Sequence, residues 1–599
     1  MEKRNSKLKL FSANIGYILK RVSEMNFLLI FVIFFEAICS ATMPFLLLFL
    51  SRNVINSLSQ MQDIQNATWI LLGFSIMYLI CYTLKQFLGW QRSLMCMKLY
   101  DAFSIELAQK ATEMELLAME DELNLNQYHK AEKSIWFATI GLCAIMASLV
   151  SNVVQLIGLT YMFAYMNGWL IILFGCLMLI HIMAEKNCKA KIYENASDCA
   201  TYERKVKYLS KVMIGAKEGI DLRLFNAEGR MLDEFNKNQY KYLEKTNNNI
   251  AIEKRQTTVD LFLTLIFRLV IWCYFVFQFV EDRISIGDFS MVLLATETLY
   301  NLLINIPATV LNTWNYGLYV WDYREYINQP VQKSNASSSE RVTTDCPVLS
   351  FDHVYFRYPN AKEAALSDIS ITIPYGQKVT IIGDNGSGKS TFIKVLMGLY
   401  IPEKGNVVLN DINIQKYDYG KYVNLFSIVF QDFRIFEFSI ADNIYLGTTI
   451  SAEKEQLFWD SLKQSGLYNR VKNLPREAET SVFRNFDENG VLLSGGEQQK
   501  LAIARALFYD RKIFIFDEPT ASLDSKSEQN FYREMNSFTK GKTVIYISHN
   551  MASCVHSDRI IVFEEGRIVA DGKHKDLLQS SNVYQKMWNA QAQHYLDIN

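Results

Sequence analysis

Six long apolar stretches in the first half of the chain constrain its fold more than any other feature. Crossing the hydrocarbon core of a bilayer, about 30 Å thick, takes about 20 helical residues. A helix also satisfies its own backbone hydrogen bonds there. We place the predicted spans at residues 25–50, 67–89, 138–163, 167–184, 258–280 and 286–310. The sequence therefore predicts an α-helical transmembrane domain over residues 1–325, with an interfacial helix, Leu8 to Arg21, ahead of the first span.

The loops between these spans indicate the orientation of the chain. Long polar segments rich in lysine and arginine join the second span to the third and the fourth to the fifth. The opposite loops contain little basic charge beyond Arg52 and Arg283. Because basic loops stay on the cytoplasmic side, we expect both termini and both long loops to be cytoplasmic.

Ionisable residues inside the predicted spans include Glu36, Arg268 and Glu297, with Lys85 and His181 nearer the span ends. Facing lipid at mid-span would cost each of them roughly 2.5–3.5 kcal/mol, so they are candidates for a substrate path. The alternative is that the helices extend beyond the bilayer and leave these side chains in water.

The second half of the chain contains a phosphate-binding motif. It reads Gly383-Asp384-Asn385-Gly386-Ser387-Gly388-Lys389-Ser390-Thr391, follows an apolar run typical of a buried strand, and leads into a predicted helix. Glycines allow a tight turn whose backbone N–H groups point at phosphate oxygens, and the helix N-terminus adds positive partial charge. Lys389 would contact the β- and γ-phosphates, and the Ser390 hydroxyl would contact Mg²⁺. The motif predicts that the protein binds a nucleoside triphosphate.

Two further predicted strands end in residues suited to the same site. The apolar run Ile513 to Phe516 ends at Asp517 and Glu518, where one carboxylate would hold Mg²⁺ and the other would polarise the attacking water. The run Thr543 to Ile547 ends just before His549, which is either a γ-phosphate ligand or a structural histidine. Strands and helices alternate over residues 348–599, which predicts an α/β P-loop domain after a polar linker at 326–347.

Composition excludes several classes of function. The formal net charge of −1 gives no basic field that would favour nucleic acid as a partner. The ten cysteines contain no C-x-x-C pair, so they predict neither a zinc site nor a disulfide framework. The N-terminus lacks the pattern of a cleavable signal peptide.

A set of motifs in fixed order carries a family resemblance. The stretch Leu493-Ser494-Gly495-Gly496-Glu497-Gln498 precedes a predicted helix, and Ala521-Ser522-Leu523-Asp524 follows the acidic strand end. Gln431 and the aromatic Tyr358 come earlier, in Phe430-Gln431-Asp432 and Phe356-Arg357-Tyr358-Pro359. Together these motifs resemble the ATP-binding cassette (ABC) family, and specifically its exporter half-transporters. The resemblance covers the whole chain: six spans, two long loops and one cassette.

The resemblance implies a role for each motif residue. Tyr358 would stack on adenine, Glu518 would be the catalytic base, and His549 would contact the γ-phosphate. The residues expected at the site are, for nucleotide binding, Tyr358, Gly383, Asp384, Asn385, Gly386, Ser387, Gly388, Lys389, Ser390 and Thr391; for catalysis, Glu518, His549, Gln431, Ser494, Gly496 and Asp524; and for Mg²⁺, Ser390, Gln431 and Asp517.

In this family Ser494 and Gly496 would complete the site of a second half-transporter, so the chain is expected to dimerise. No catalytic position is degraded, which favours a homodimer; a heterodimer with a degraded partner is the alternative. Residues 480–490 only loosely resemble the family's coupling segment, and Glu497 stands where glutamine is commoner. The N-terminal peptidase of some peptide exporters is not expected here, and neither is leader cleavage.

The resulting hypothesis is an ATP-driven exporter in the bilayer of a bacterial cytoplasmic membrane. It would move a peptide, lipid or amphipathic small molecule through ATP-induced dimerisation coupled to alternating access. Two alternatives remain open: a regulator or channel that senses nucleotide, and an importer on the same scaffold.

Overall fold

The computed structural model describes residues 2–59, 64–166, 169–329, 346–359, 361–447, 452–519, 525–549 and 551–596. It divides into two compact units. The helical unit contains residues 1–112 and 126–329, and the cassette unit contains residues 113–125 and 330–599. Residues 113–125 thus lie with the cassette, although they fall within the range predicted as transmembrane domain. The boundaries given from the sequence remain a prediction.

The N-terminal part of the chain is helical in its described residues. The bounds are α1 Glu2–Ser59, α2 Ile64–Glu113, α3 Leu116–Glu120, α4 Glu122–Trp136, α5 Leu142–Met166, α6 Trp169–Ile214, α7 Ala216–Leu224, α8 Glu228–Val280 and α9 Ile286–Ile327, with one π-helical turn, Phe137–Gly141. Helix α1 is broken at Asn26, whose backbone is extended (φ −160°, ψ 87°). The break falls one residue inside the predicted first span, 25–50. The interfacial helix remains a prediction.

Five helical segments within the described residues are long and apolar enough to cross a bilayer. They are Ala13–Ser59, Ile64–Glu113, Asn124–Ala164, Glu228–Val280 and Ile286–Ile327. The predicted span 167–184 falls in α6, whose described apolar part is Gly175–Glu185. The link at Asn167 and Gly168 lies outside the described residues. The helical architecture is that of a multi-pass membrane domain.

Apolar side chains of the helical unit lie both in its core and on its surface. Helix α1 packs along α5 and α9, and α6 packs along α8. Leu159 of α5 and Val292 of α9 are fully buried in the shared core. By contrast, Trp69 on α2 is 71 % exposed. A helix this apolar would not face water along such a surface, so α2 is suited to lipid or to a partner chain.

Glu36, Arg268 and Glu297, the charged residues predicted for a substrate path, each form an ion pair. Arg92 Nε lies 2.7 Å from Glu36 Oε2, and both side chains are largely buried. Arg268 lies 2.7 Å from Glu297. Pairing and burial show that protein contacts surround Glu36 and Arg268, as expected for charges at membrane depth.

The cassette is built on two sheets. Its strands are β1 Leu349–Phe356, β2 Leu366–Ile373, β3 Lys378–Gly383, β4 Lys404–Leu409, β5 Ile412–Asn413, β6 Phe426–Val429, β7 Ile513–Asp517, β8 Thr543–Ile547, β9 Arg559–Glu564 and β10 Arg567–Gly572. Its helices are α10 Lys389–Leu396, α11 Tyr419–Val423, α12 Ile440–Tyr445, α13 Ala452–Gln464, α14 Tyr468–Lys472, α15 Gly495–Tyr509, α16 Ser525–Phe538, α17 Ala552–Val555, α18 His574–Ser580 and α19 Asn582–Leu596.

The sheet topology brings the predicted motifs to one edge. The larger sheet has the strand order β10-β9-β3-β8-β7-β6, and β9, β3, β8, β7 and β6 run parallel. Strands β7 and β8 are buried along their whole length, which explains their continuous apolar sequence. Since the carboxyl ends of parallel strands share an edge, the residues that follow β3, β6, β7 and β8 converge there. A smaller antiparallel sheet, β2-β1-β4-β5, covers the core on another side.

Candidate nucleotide-binding site

The loop between β3 and α10 requires glycine at specific positions. Gly388, the residue before α10, has φ 102°, a left-handed conformation that residues with a Cβ rarely adopt. A Cβ on Gly388 would also lie 2.7 Å from the Ala365 carbonyl oxygen, and one on Gly383 would lie 2.3 Å from that of Phe563. The backbone can therefore fold into the tight turn that the motif predicts.

Lys389 lies at the centre of this loop. Its Nζ donates hydrogen bonds to the carbonyl oxygens of Gly383 and Asp384, both at 2.8 Å. Burial lowers the pKa of Lys389, and the nearby carboxylates of Glu518 and Asp517 oppose that shift. A cation is thus placed inside the turn whose N–H groups would face phosphate.

Asp517 is buried at the end of β7, with 6 % of its surface exposed. Burial, and secondarily the carboxylate of Glu518, raise the pKa of Asp517 to about 6. Lys389 only partly offsets these effects. The carboxylate is incompletely compensated, which suits it to an added cation.

Three predicted catalytic residues form one hydrogen-bonded group around Glu518. Gln431 Nε2 donates to Glu518 Oε2 at 2.8 Å, and His549 Nδ1 lies 2.9 Å from Glu518 Oε1. Gln431 follows β6, Glu518 follows β7 and His549 follows β8, so the sheet edge positions all three. Both carboxylate oxygens of Glu518 are held.

A cavity of about 720 Å³ opens in front of this group. Its lining joins the phosphate loop to the catalytic group and includes part of α19; it comprises Ile382, Gly383, Asp384, Asn385, Gln431, Glu518, His549, Met551, Lys586, Met587 and Ala590. The volume is ample for a polyphosphate group. Lys586, Met587 and Ala590 were not predicted, because α19 contains no motif that would place it there.

Tyr358, the residue predicted to stack on adenine, does not line this cavity. The Tyr358 hydroxyl is 3.0 Å from Thr391 Oγ1. The Tyr358 ring meets that of Tyr400 edge-on, with centroids 5.7 Å apart. Tyr400 is fully buried and donates a hydrogen bond of 2.6 Å to Glu120 Oε2 of α3. Through Tyr400, residues 113–125 contact the wall of the site next to Tyr358.

Ser494, Gly495 and Gly496, which we call the signature residues, are exposed at the start of α15. Ser494 is the N-cap of this helix: its Oγ accepts a hydrogen bond from the Glu497 N–H, and Glu497 Oε2 accepts one from the Ser494 N–H at 2.8 Å. This reciprocal capping box explains the glutamate at 497, and its sequence pattern is readable in advance. Ser494 and Gly496 do not line the cavity of their own chain, in the part of the chain that the structure describes.

The structure describes one of the two remaining features singled out from the sequence, the segment 480–490, and not the other, Asp524. Asp524 lies outside the described residues. The segment 480–490 is ordered: Val482 pairs with Val491 in an isolated bridge, and Asp487 accepts hydrogen bonds from Arg476 and Ser481 at 3.0 and 3.1 Å.

The helical unit contains a cavity of its own, about 650 Å³ in volume. Aromatic side chains that include Phe45, Tyr274 and Phe275 form much of its lining, and Arg52 and Asp288 form an ion pair of 2.6 Å beside it. The charged residues predicted for a substrate path, Glu36, Arg268 and Glu297, do not line this cavity.

The sequence of the cassette matches a known family. Residues 366–521 match the family described as ABC transporter. The chain is 30 % identical over 398 residues to the subtilin transport ATP-binding protein SpaT of Bacillus subtilis, covering 64 % of this chain and 62 % of that protein. It is 28 % identical over 361 residues to the ATP-dependent lipid A-core flippase 2 of Colwellia psychrerythraea, covering 58 % and 60 %.

Other relatives match a shorter part of the chain. The human mitochondrial iron-sulfur clusters transporter ABCB7 is 34 % identical over 267 residues, 44 % of this chain and 35 % of that protein. The matched region thus spans less than two thirds of these relatives. Among solved structures, a bacterial Atm1-family ABC exporter with ATP bound superposes with a TM-score of 0.78 at 20 % identity, covering 94 % of this chain and 98 % of that one. That similarity establishes the fold.

Proposed function

Because the cassette of this chain belongs to the ABC transporter family and the whole chain has the fold of an ABC exporter, we propose that the protein is a membrane transporter that hydrolyses ATP to export its cargo. The observation that carries the proposal is the group around Glu518. A carboxylate held by Gln431 and His549 in the cavity that also contains the phosphate loop is suited to activating water beside a terminal phosphate.

Each residue of the site has a role in this proposal. The turn from Gly383 to Thr391, with Lys389, would bind the phosphates, and Tyr358 would stack on adenine. Glu518 would accept a proton from the attacking water. Gln431 and His549 position Glu518, and His549 would also contact the γ-phosphate. An intact base of this kind argues against a protein that only senses nucleotide.

The residues present fit a Mg²⁺ ion bound together with ATP. Asp517 is a buried and incompletely compensated carboxylate, and Ser390 presents its hydroxyl in the first turn of α10. Gln431 donates through its amide nitrogen to Glu518, which leaves its amide oxygen for a cation. Among the described residues, no group of three His, Cys, Asp or Glu side chains could hold a metal ion; phosphate oxygens would supply the remaining Mg²⁺ ligands. Bound Mg²⁺ would neutralise charge on the phosphates.

Exposure of the signature residues supports a dimer. Ser494 and Gly496 begin α15 on the surface of their own cassette, where the helix N-terminus offers N–H groups and positive partial charge to a phosphate. We propose that they complete the site of a second copy of the chain, and that ATP joins the two cassettes. Dimerisation would then drive alternating access of the membrane domains, with the cassettes and both termini cytoplasmic.

The cargo is proposed as a peptide, a lipid or another amphipathic compound, moved across a bacterial cytoplasmic membrane. Relatives named for subtilin and for lipid A-core support these classes. The aromatic cavity of the helical unit is suited to an apolar or amphipathic body.

Glu518→Gln tests the proposal directly. The wild-type protein and the variant are compared in lipid vesicles, with hydrolysis measured as phosphate release and binding measured with a fluorescent ATP. We expect binding to be retained while hydrolysis falls by about a hundredfold or more, because the amide cannot accept the proton. The exposed variant Glu132→Gln on α4 is the control. Near-normal hydrolysis by Glu518→Gln would contradict the assignment of the base.

A further inference from the structure

The C-terminal helix α19 is anchored in the cassette core. Its Tyr584 is fully buried, and the hydroxyl lies 2.6 Å from His574 Nδ1 of α18. Tyr584 shares a hydrophobic cluster with Ile382, the residue directly before Gly383, and with Met551, two residues after His549. Packing therefore fixes α19 against the end of β3 and against the chain that follows β8.

This anchoring brings a second lysine to the nucleotide cavity. Lys586 lines the cavity together with Met587 and Ala590, which follow it by one residue and by about one helical turn. Its side chain is exposed, and among the described residues it forms no ion pair or hydrogen bond. Lys389, by contrast, is buried and bonded to the carbonyl oxygens of its own loop.

The charges around Lys586 indicate what it would bind. The same cavity contains the carboxylates of Asp384 and Glu518, and Asp517 lies close behind them. Adding a polyphosphate to this acidic environment is unfavourable without further positive charge. The cavity is lined by the groups proposed for hydrolysis, Gln431, Glu518 and His549, which places Lys586 at the end of the site where the terminal phosphate would lie.

We propose that Lys586 is a further nucleotide-contacting residue, whose ammonium group binds the terminal phosphate of ATP and distinguishes ATP from ADP. This inference rests on the proposed ATP-binding function of the cavity. The contact is an exposed charge-assisted hydrogen bond, so its contribution to affinity is moderate.

Nucleotide binding by the full-length protein in lipid nanodiscs tests the inference. Affinities for AMP-PNP, which is not hydrolysed, and for ADP are measured by calorimetric titration. We expect Lys586→Ala to weaken AMP-PNP binding about fivefold to tenfold and ADP binding less than about twofold. Lys586→Arg keeps the charge and should stay within about twofold of wild type for both nucleotides. Lys575→Ala on α18, an exposed lysine outside the cavity, is the matched control.

Two outcomes would overturn the inference. Unchanged AMP-PNP binding in Lys586→Ala would mean that the lysine does not contact nucleotide. Equal losses for AMP-PNP and ADP would indicate a structural effect of α19 rather than a contact with the terminal phosphate. Lys389→Ala tests the proposed ATP-binding function separately from the role of Lys586. If Lys389→Ala binds both nucleotides as tightly as wild type, the assignment of the ATP site is wrong.

Discussion

Glu518 has a left-handed backbone conformation, and each of its carboxylate oxygens has a hydrogen-bond partner. Its φ of 48° lies in the left-handed region, which is costly for a residue with a Cβ. The strain is held by surrounding structure, since the Glu518 N–H donates to the Ile547 carbonyl oxygen at 2.9 Å. Gln431 and His549 then fix the carboxylate. A glycine would relax the backbone but would supply no base, so strain at this position is consistent with a chemical role.

Substitution of Asp517 should stabilise the folded protein and at the same time abolish its activity. Burial raises its pKa from 3.8 to about 6. Between these values the folded protein keeps a proton that the unfolded chain has lost, so the stability contributed by this group falls as pH rises through about 6. We expect Asp517→Asn to raise the free energy of unfolding of the nucleotide-free protein at pH 7 by about 1–3 kcal/mol.

The gain should decrease as the pH is lowered from 7 to 5, because the wild-type carboxyl becomes protonated there. Chemical denaturation of wild type and variant at both pH values measures the effect. A variant less stable than wild type at pH 7 would show that the carboxylate is compensated in the folded protein. Hydrolysis that depends on Mg²⁺ should be lost in the same variant.

At the scale of elements, α3 is the helix whose role the contacts define best. Leu117 packs on the cassette core, and Glu120 accepts the hydrogen bond of Tyr400. Lys394 of α10 also reaches Tyr400, with Nζ 2.9 Å from the hydroxyl. The helix that follows the phosphate loop is therefore linked to residues 113–125 through the buried phenol of Tyr400 and through a direct ion pair of 3.4 Å between Lys394 and Glu120.

Tyr400→Phe removes the part of this link that the phenol makes and leaves the Lys394–Glu120 ion pair in place. The ring can still stack on Phe356, with centroids now 5.1 Å apart, but both hydrogen bonds of the hydroxyl are lost. We expect AMP-PNP affinity to stay within about twofold, while the AMP-PNP-dependent change in hydrogen exchange across 113–125 falls by roughly half or more. Glu132→Gln is the control, and an unchanged exchange response would show that the hydroxyl does not transmit binding.

Sequence patterns predicted some elements of this protein and not others, for physical reasons. Gly388, Lys389, Asp517 and Glu518 could be placed because the chemistry of phosphate binding fixes residue types at strand ends. Lys586 could not, because it reaches the cavity through the packing of Tyr584 on Ile382, a contact between distant parts of the chain. The family resemblance implies a short coupling helix near Glu120–Asn126. Its contacts depend on Leu117 and Glu120 meeting residues far along the sequence, which no local pattern specifies.

At the scale of the whole molecule, the proposed dimer predicts complementation between two inactive variants. Lys389→Ala damages the phosphate loop and Ser494→Arg damages the surface offered to the partner, so homodimers of either variant contain no intact site. A mixed dimer contains one site built from an intact loop and an intact signature. Co-expression should restore hydrolysis to about a quarter of wild type, since about half of the dimers are mixed and each has one working site. No recovery on mixing, with each variant folded and inserted, would contradict a shared site.

The division of the chain into units has a practical consequence for protein engineering. A fragment that starts after the linker would lack residues 113–125, although these belong to the same compact unit. Its surface would then expose the place where Leu117 packs, and the phenol of Tyr400, now 1 % exposed, would lose its carboxylate partner. A soluble cassette is better made by joining residues 113–125 to the fragment with a flexible linker. The surface on which Leu117 packs would then stay covered.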